Sequence, residues 1–402
     1  MFLKKLYPVK ILPKLIPLIL IMTVLVSSPN LILAEPTRST SRNSGSVSLQ
    51  EYEALGIKFA DAIATKNIQK LAQLFDMKSF AYISARTVYE SKKDIEAYGK
   101  NFAKLNKEKF LGQIFVTVIK SDINVKFLRI LKGNRPLVRI DFQDGGHEYT
   151  VLDVKLNTDN KLMVVDLFIL TTGSKLSVTM GVASQLMLRP SKSILRKIFG
   201  KLDIDEDIFS SIKKLGQLKK EGKFVEAYNL IETFPDGLKN KRVMIDTSIQ
   251  LSQFMDDDAY RKQLTRLDKY FGTDKSTAFI LIDHYYFNED YKKAHASINR
   301  LINSFGEDGA LFNLKASTYY VTNNHSKTQA YARKAIKVEP QFEDAYWTLA
   351  TSLTDTENYS ELVKLLNIIE NKFNYTFTPD NFADNELYAK FVKTPEFKAM
   401  FK

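Results

Sequence analysis

The sequence predicts a multidomain protein with two parts: an N-terminal α+β roll, in which helices cover a curved antiparallel sheet, and an all-α superhelical repeat array that follows it. In the first half, apolar residues at helical spacing give way to apolar residues at every second position. In the second half, small and apolar positions recur at a spacing of about 34 residues. The total charge of +12 is also uneven, because residues 1–34 carry +4, residues 35–200 carry +10 and residues 201–402 carry −2. The two halves therefore differ in surface chemistry.

The composition excludes several classes of protein and of site. A chain of 402 residues with 45% hydrophobic and 12% aromatic residues is not globally disordered. The absence of cysteine rules out disulfides, thiolate metal sites, a cysteine nucleophile and a lipid-modified cysteine anchor. Four histidines leave little room for a multi-histidine metal site, and no phosphate-binding loop or nucleophile elbow is present. We therefore expect no enzyme activity, no metal and no cofactor.

Residues 1–34 have the order of a secretory signal peptide. Four lysines and no acidic residue precede the end of the apolar run Leu15–Val26, and the small residue Ala34 stands at the expected cleavage point. This run is shorter than the roughly 20 residues that a spanning helix needs. We expect export to the periplasm or the extracellular space, with an uncleaved N-terminal membrane anchor as the alternative. Residues 35–48 are rich in Ser, Thr, Arg and Gly, which predicts a disordered linker.

Residues 49–195 predict the roll domain. Apolar residues at helical spacing predict helices over Glu51–Phe75, around Phe80–Tyr89 and over Lys92–Leu105. Four runs then alternate with period two and predict the strands Ile123–Leu131, Leu137–Phe142, Tyr149–Leu156 and Leu162–Leu170. Short links rich in Gly, Asn and Asp join these runs, which indicates an antiparallel meander. A last helix is expected over Leu176–Leu188.

This order of helices and strands resembles the nuclear transport factor 2-like (cystatin-like) roll. The segment Val165–Gly173 is also similar to the last strand and exit turn of roll domains in exported bacterial proteins that carry helical repeats. The resemblance implies an architecture. It also implies a conical pocket, which in some rolls of this kind holds the Asp/His pair of an enzyme.

The predicted strands carry a set of candidate pocket residues. Alternation along the strands places on one face Arg139, Asp141, Tyr149, Asp153 and Asp166. Carboxylates in an apolar cavity have raised pKa values and serve as acid or base. The alternative function is therefore small-molecule binding or a hydrolase-like activity in this pocket. In the competing interpretation the carboxylates face solvent or pair with Arg139 and Lys155 across strands. His147 is expected in the hairpin turn with Gly145 and Gly146, outside the cavity.

The basic residues of the first half indicate a solvated positive face. Lysines cluster around the helix predicted over Lys92–Leu105, but acidic residues are interspersed and no aromatic stacking pattern accompanies them. We therefore expect no nucleic-acid partner. The functional alternative is weak contact with an anionic envelope surface or with an acidic partner.

Five helix–turn–helix units are predicted over residues 207–376. The period of 34 resembles that of tetratricopeptide repeats. The residues that carry the resemblance are Gly222, Phe224 and Ala227; Tyr285, Tyr291 and Ala294; Ala316, Tyr319, Ala335 and Pro340; and Tyr346, Leu349, Ala350, Leu353 and Tyr359. Lys315 and Thr328 depart from the family pattern, because their columns are usually small or apolar. Residues 377–402 are expected to cap the array with helices, one over Asn385–Val392 and one that Thr394 and Pro395 begin.

In tetratricopeptide arrays the first helix of each unit lines a concave groove, which implies a protein or peptide partner. The matching positions are Phe279, Asp283, Tyr286, Asn313, Ser317, Tyr320, Trp347 and Thr351. In the competing interpretation some of these residues pack on a neighbouring helix or on the tail. A carboxylate clamp needs Lys, Arg and Asn, and only Asn313 is present, so a free C-terminal carboxylate is not the expected ligand. The sequence makes no prediction of oligomeric state.

Overall fold

The computed structural model describes residues 47–143, 145–181, 195, 199, 205–383 and 385–402. The expected signal peptide, nearly all of the expected linker and the second part of the helix expected over Leu176–Leu188 lie outside the described residues. Within the described residues, no helix has both the length and the apolar character needed to cross a bilayer. The described residues form two compact units, here called the N-terminal unit, which ends at His284, and the C-terminal unit, which begins at Tyr285. The domain limits 49–195 and 207–376 stay predictions.

Six helices precede the sheet between residues 47 and 122. They are α1 (Leu49–Ala64), α2 (Ile68–Leu74), α3 (Met77–Val88), α4 (Lys92–Phe102), α5 (Lys107–Ile114) and α6 (Val116–Lys120). Ser48 and Glu51 form a reciprocal capping box at the start of α1, and Asn67 accepts from Lys70 at the start of α2. The sequence did not predict α5 and α6, because residues 114–119, from the end of α5 into α6, are all β-branched or aromatic and have low helix propensity. They form because Phe110 and its neighbours are buried in the core.

The strands form one antiparallel sheet in the order β1-β2-β3-β4-β5. Their bounds are β1 (Ile123–Leu131), β2 (Arg135–Phe142), β3 (His147–Leu156), β4 (Leu162–Ile169) and β5 (Ser174–Lys175). The expected meander and its four long strands are confirmed. The short strand β5 was not predicted. A helix begins at Leu176 as expected, and its described part runs over 176–181.

Both faces of the sheet are covered. On the inner face, Val138, Leu152 and Leu167 belong to one hydrophobic core with residues of α1–α6. The opposite face, here called the outer sheet face, carries the polar residues that alternate with them, and its residues Arg139 and Tyr149 are fully buried. The structure differs here from the roll prediction, in which helices cover only one face of the sheet.

The exit turn of the sheet packs tightly on the helices that follow it within the N-terminal unit. The ring of Tyr149 meets that of Phe279 edge to face, with centroids 5.8 Å apart. Gly173 has a φ of +59°, and a Cβ there would lie 2.4 Å from the backbone oxygen of Ser276 and 2.9 Å from Arg242. Only glycine satisfies both the left-handed conformation and this close approach.

A long all-helical region follows. Its α-helices are Glu206–Lys220, Phe224–Glu232, Asp236–Lys239, Arg242–Leu251, Asp257–Phe271, Leu281–Phe287, Tyr291–Phe305, Gly309–Val321, His325–Val338, Glu343–Asp355 and Tyr359–Phe373. In the C-terminal unit, Tyr291, His325 and Tyr359 begin helices at a regular spacing of 34 residues. The turns before these helices contain the left-handed residues Glu289, Asn323 and Glu357, which have the same spacing.

The C-terminal segment packs on the last helix pair. It contains the helices Asp380–Ala383 and Pro395–Met400, and Phe382, Phe391 and Phe397 share a core with Leu366. Thr394 caps the final helix and Pro395 opens it, as expected. The helix expected over Asn385–Val392 was wrong. Its place is taken by two 3-10 turns, Glu386–Tyr388 and Phe391–Lys393, whose aromatic rings pack around Phe382.

Candidate functional site

The outer sheet face holds an Arg–Asp–His cluster at the end of β2. Arg139 Nε and Nη2 donate to the two carboxylate oxygens of Asp141, at 2.7 and 2.8 Å. His147 Nδ1 is hydrogen-bonded to Asp141 at 2.6 Å. Burial alone would raise the pKa of Asp141, but Arg139 and His147 outweigh it and hold the pKa at about 2. Asp141 is therefore ionised at neutral pH.

The position of His147 corrects the sequence prediction. His147 is the first residue of β3 and pairs with Asp141 on β2, so it is not part of the turn. The turn is shorter than expected, because Gly145 and Gly146 both take positive φ values and complete it before residue 147. His147 is thus a member of the outer sheet face.

Asp153 and Asp166 form a second polar group on the same face. Asp166 accepts from the Ser177 hydroxyl at 2.5 Å and from the Ser177 backbone N–H at 3.0 Å. It thereby caps the helix that begins at Leu176. Burial raises the pKa of Asp166 to about 6 despite these bonds. Asp153 accepts from Lys175 at 2.5 Å. The competing interpretation had instead expected a pair with Lys155.

Glu148 is a buried acid that the sequence prediction missed. It accepts from the backbone N–H groups of Leu170 and Thr171, at 3.0 and 3.4 Å, and from the Thr171 hydroxyl. Burial raises its pKa to about 7. Glu148 thus fastens the exit turn that follows β4. The sequence prediction missed it because the strand was expected to begin at Tyr149, one residue after Glu148, whereas β3 begins at His147.

The five predicted pocket residues do share one face, but their polar atoms are committed to the fold. Arg139 and Asp141 pair with each other, Asp166 caps a helix, and the ring of Tyr149 is covered by Phe279. A general acid or base must reach a substrate proton at hydrogen-bond distance. These bonds favour a role in holding the sheet to its neighbours over a role in chemistry.

Two of the predicted groove residues lie in the N-terminal unit and are buried. The ring of Phe279 is closed off by Tyr149. Asp283 accepts from the Tyr260 hydroxyl at 3.2 Å through one oxygen, and its other oxygen has no hydrogen-bond partner. Burial raises the pKa of Asp283 to about 8, so the group is largely a neutral acid at pH 7. Neither residue presents its side chain to a partner.

The other predicted groove residues lie in the C-terminal unit, where they link the first helices of successive pairs. The Tyr286 hydroxyl lies 2.5 Å from the Thr318 hydroxyl. The Tyr320 hydroxyl donates to Asp355 at 2.6 Å and remains partly exposed. On the same helix as Tyr320, Ser317 is buried and Asn313 is partly exposed, with a side-chain oxygen that has no partner.

Trp347, at the end of this row, already holds a segment of the chain. The rings of Tyr375 and Phe377 meet Trp347 edge to face, at centroid distances of 5.6 and 6.1 Å. Trp347 Nε1 and the Tyr375 hydroxyl both donate to Glu343, at 2.9 and 2.5 Å. Thr351 lies one turn further along and donates to the Trp347 carbonyl. The non-helical stretch around residues 375–378 therefore lies against the first helix of the last pair.

Metal binding and similarity to other proteins give no further assignment. Across the part of the chain that the structure describes, no three Asp, Glu or His side chains come together in a group suited to a metal ion. No protein-family model matches the sequence, and no curated protein matches it.

Proposed function

We propose that the protein is an exported, non-enzymatic scaffold or adaptor that binds a protein or peptide through the first helices of its helix pairs. In this proposal the helical region is an array of five tetratricopeptide-like repeats over 207–376, and residues 49–195 are a nuclear transport factor 2-like roll. The regular helix starts and left-handed turns of the C-terminal unit support the repeat assignment.

The observation that carries the proposal is the contact between Trp347 and the chain's own non-helical segment. Tyr375 and Phe377 stand two positions apart, and both rings pack on Trp347. Glu343 accepts from the ring N–H and from the Tyr375 hydroxyl. An aromatic anchor with one polar partner is the arrangement by which grooves commonly hold extended peptides.

The neighbouring surface offers further contacts of the same chemistry. Tyr320 is partly exposed, and Asn313 has an amide oxygen that no described group satisfies. That oxygen is itself buried, so Asn313 contributes the exposed part of its side chain, and the ring of Tyr320 on the same helix provides contact area at a low entropy cost. The row from Asn313 to Trp347 is therefore the proposed binding surface.

Export rests on the expected signal peptide, and an uncleaved N-terminal anchor is the alternative. Weak contact between the basic first half and an anionic envelope surface is a subsidiary proposal. The rival function, a small-molecule or hydrolase-like activity around Arg139, Asp141, Tyr149, Asp153 and Asp166, is less well supported because each carboxylate in that set already has partners.

The test is cross-linking of the exported protein in intact cells, followed by quantification of the partners recovered by wild type and by variants. We expect Tyr320→Ala to lower the recovery of a specific partner about tenfold, because truncating an aromatic contact in an interface costs more than about 1 kcal/mol. Tyr270→Ala is the matched control, since Tyr270 is 45% exposed and belongs to a helix that contributes no residue to the proposed surface. Equal recovery with both variants would contradict the proposal.

A further inference from the structure

Three consecutive helices of the C-terminal unit each contribute two residues, four apart, to one surface, here called the cationic aromatic face. The helices are Tyr291–Phe305, Gly309–Val321 and His325–Val338. The six residues are His295 and Asn299, Lys315 and Tyr319, and Lys327 and Tyr331. Residues four apart lie on the same side of a helix. Lys315 is the residue that departs from the expected repeat pattern.

The aromatic rings of this face form a continuous stack. The centroids of His295 and Tyr319 are 4.0 Å apart, and those of Tyr319 and Tyr331 are 5.4 Å apart at an angle of 17°. Lys327 Nζ lies 5.0 Å from the Tyr319 centroid, and Lys315 Nζ lies 4.4 Å from the Tyr331 centroid. Both ammonium groups are therefore held over ring faces by cation–π attraction.

The positive charges of this face have no anionic partner among the described residues. Lys315 is only 8% exposed, and its ammonium donates to the neutral amide oxygen of Asn299 at 2.8 Å. Neither Lys315 nor Lys327 forms an ion pair with a described carboxylate. Nearby Lys334 differs, because it lies 4.1 Å from the Phe312 centroid and pairs with Glu307 at 2.8 Å. A buried ammonium is normally paired with an anion.

His295 provides a second unsatisfied group at the same place. Its Nδ1 is buried and has no hydrogen-bond partner. Burial, followed by the charges of Lys315 and Lys327, lowers the pKa of His295 to about 4. At neutral pH the imidazole beside the two lysines is therefore uncharged.

We propose that the cationic aromatic face is a second binding site, which takes the side-chain carboxylates of an acidic segment of a partner protein. A carboxylate would supply the missing anion to Lys315 and Lys327. Phosphate is the less suitable ligand, because the face has no arginine fork and because Asn324 already accepts from the Lys327 backbone N–H in the first turn of its helix. This site is separate from the row that runs from Asn313 to Trp347, so it stands or falls independently of the proposed function.

The test uses the full chain and an acetylated, amidated peptide of four glutamates, with binding measured by calorimetry at low salt. We expect Lys315→Met to weaken binding at least about tenfold, because a charge-assisted contact is lost. Lys334→Met removes a more exposed lysine that also lies over an aromatic ring but already has an acid partner, so it should change the affinity less than about twofold. Equal binding by wild type and Lys315→Met, or no binding by wild type, would overturn the proposal.

Two further measurements keep the test decisive. If Lys315→Met loses its helical circular dichroism, the exposed Lys327→Gln takes its place, with an expected loss of about threefold; unchanged affinity would overturn the proposal. NMR titration of the His295 ring should show its pKa rise when the peptide binds, because the carboxylates offset both lysines. Inorganic phosphate is the competing probe, and tighter binding of phosphate than of the glutamate peptide would contradict the carboxylate assignment.

Discussion

The outer sheet face of the N-terminal unit and the cationic aromatic face of the C-terminal unit both hold a buried cation, but only the first pairs that cation with a carboxylate. Arg139 gives both oxygens of Asp141 a donor. Lys315, by contrast, has an amide and a ring but no carboxylate. A matched buried pair holds a fold together, whereas an unmatched charge costs free energy that a ligand can recover. The comparison therefore separates polar groups that build the protein from polar groups that are available to a partner.

The largest expected effect is on the outer sheet face, where the buried cation has a carboxylate partner. Arg139→Met should lower the free energy of unfolding by about 3–5 kcal/mol, because it leaves the Asp141 carboxylate with most of its surface buried and its main partner gone. Urea unfolding followed by circular dichroism measures this. Arg333→Met is the control, since Arg333 and Glu361 form an exposed pair worth less than about 1 kcal/mol. Similar losses for both variants would break the comparison.

The second prediction concerns the pH dependence of the N-terminal unit. Asp283 and Glu148 have folded pKa values of about 8 and 7, raised by burial above the ordinary values of about 3.9 and 4.3. The folded chain holds more protons than the unfolded chain between these values, so stability is present at low pH and falls as pH rises from about 4 to 8. Asp283→Asn should gain stability relative to wild type across this window, by up to about 1.4 kcal/mol per pH unit.

Unfolding of Asp283→Asn and wild type in urea at pH 5 and pH 8 makes this measurement. The control is Glu361→Gln, which removes the acid of an exposed ion pair. It should show no such pH-dependent gain in stability over wild type. A stability difference between Asp283→Asn and wild type that does not depend on pH would show that Asp283 is ionised in the folded chain.

The third prediction concerns the segment that covers Trp347. Tyr375→Ala removes one edge-to-face ring and one donor to Glu343. The cost should be about 1 kcal/mol or somewhat more, and the emission of Trp347, the single tryptophan of the chain, should move to longer wavelength as water reaches the ring. Tyr270→Ala is the control and should leave the emission unchanged. An unchanged spectrum for Tyr375→Ala would show that the segment does not shield Trp347.

The smallest expected effect on the free energy of unfolding is on the cationic aromatic face. Lys315→Met should leave the free energy of unfolding within about 1 kcal/mol of wild type, or raise it, because an ammonium without an anionic partner is replaced by an apolar chain of similar length. The same urea unfolding measures this against Arg139→Met. A loss as large as that of Arg139→Met would show that Lys315 belongs to the structural charges.

The pH dependence of the C-terminal unit should have the opposite direction to that of the N-terminal unit. The folded pKa of His295, about 4, lies below the ordinary value of about 6.5. The unfolded chain then binds the extra proton, so this stability is present above about pH 6.5 and is lost as pH falls toward 4. His295→Gln should gain stability relative to wild type between pH 7 and pH 5.

Local patterns predicted the sheet well, because alternation and turn residues are properties of neighbouring positions. The four long strands follow from them, and the error at His147 came from a turn completed one residue earlier than expected. The left-handed Glu289 and Glu357 were not predictable, because glutamate is not among the residues that favour a positive φ. They adopt it where the chain must reverse between two packed helices.

Whether a candidate residue is exposed, covered or already bonded depends on contacts between positions far apart in the chain, so local sequence patterns did not predict it. Phe279 was assigned to a groove by its helical position, but it is covered by Tyr149, which lies 130 residues earlier. Trp347 was assigned to the same groove, but the rings of Tyr375 and Phe377 that cover it come from a segment without periodic pattern. Lys315 was noticed only as a departure from a pattern, and its meaning required the positions of Asn299 and Tyr331.

Partner recovery by Tyr320→Ala and Asp166→Asn, measured side by side by cross-linking at a temperature where both variants are folded, tests most directly whether the helical region is the binding part of the protein. Asp166 lies on the outer sheet face, where it accepts from Ser177, and Tyr320 lies on the proposed binding surface. We expect recovery to fall about tenfold with Tyr320→Ala and to stay at the wild-type level with Asp166→Asn. Loss with Asp166→Asn and full recovery with Tyr320→Ala would place the function in the sheet and contradict the proposal.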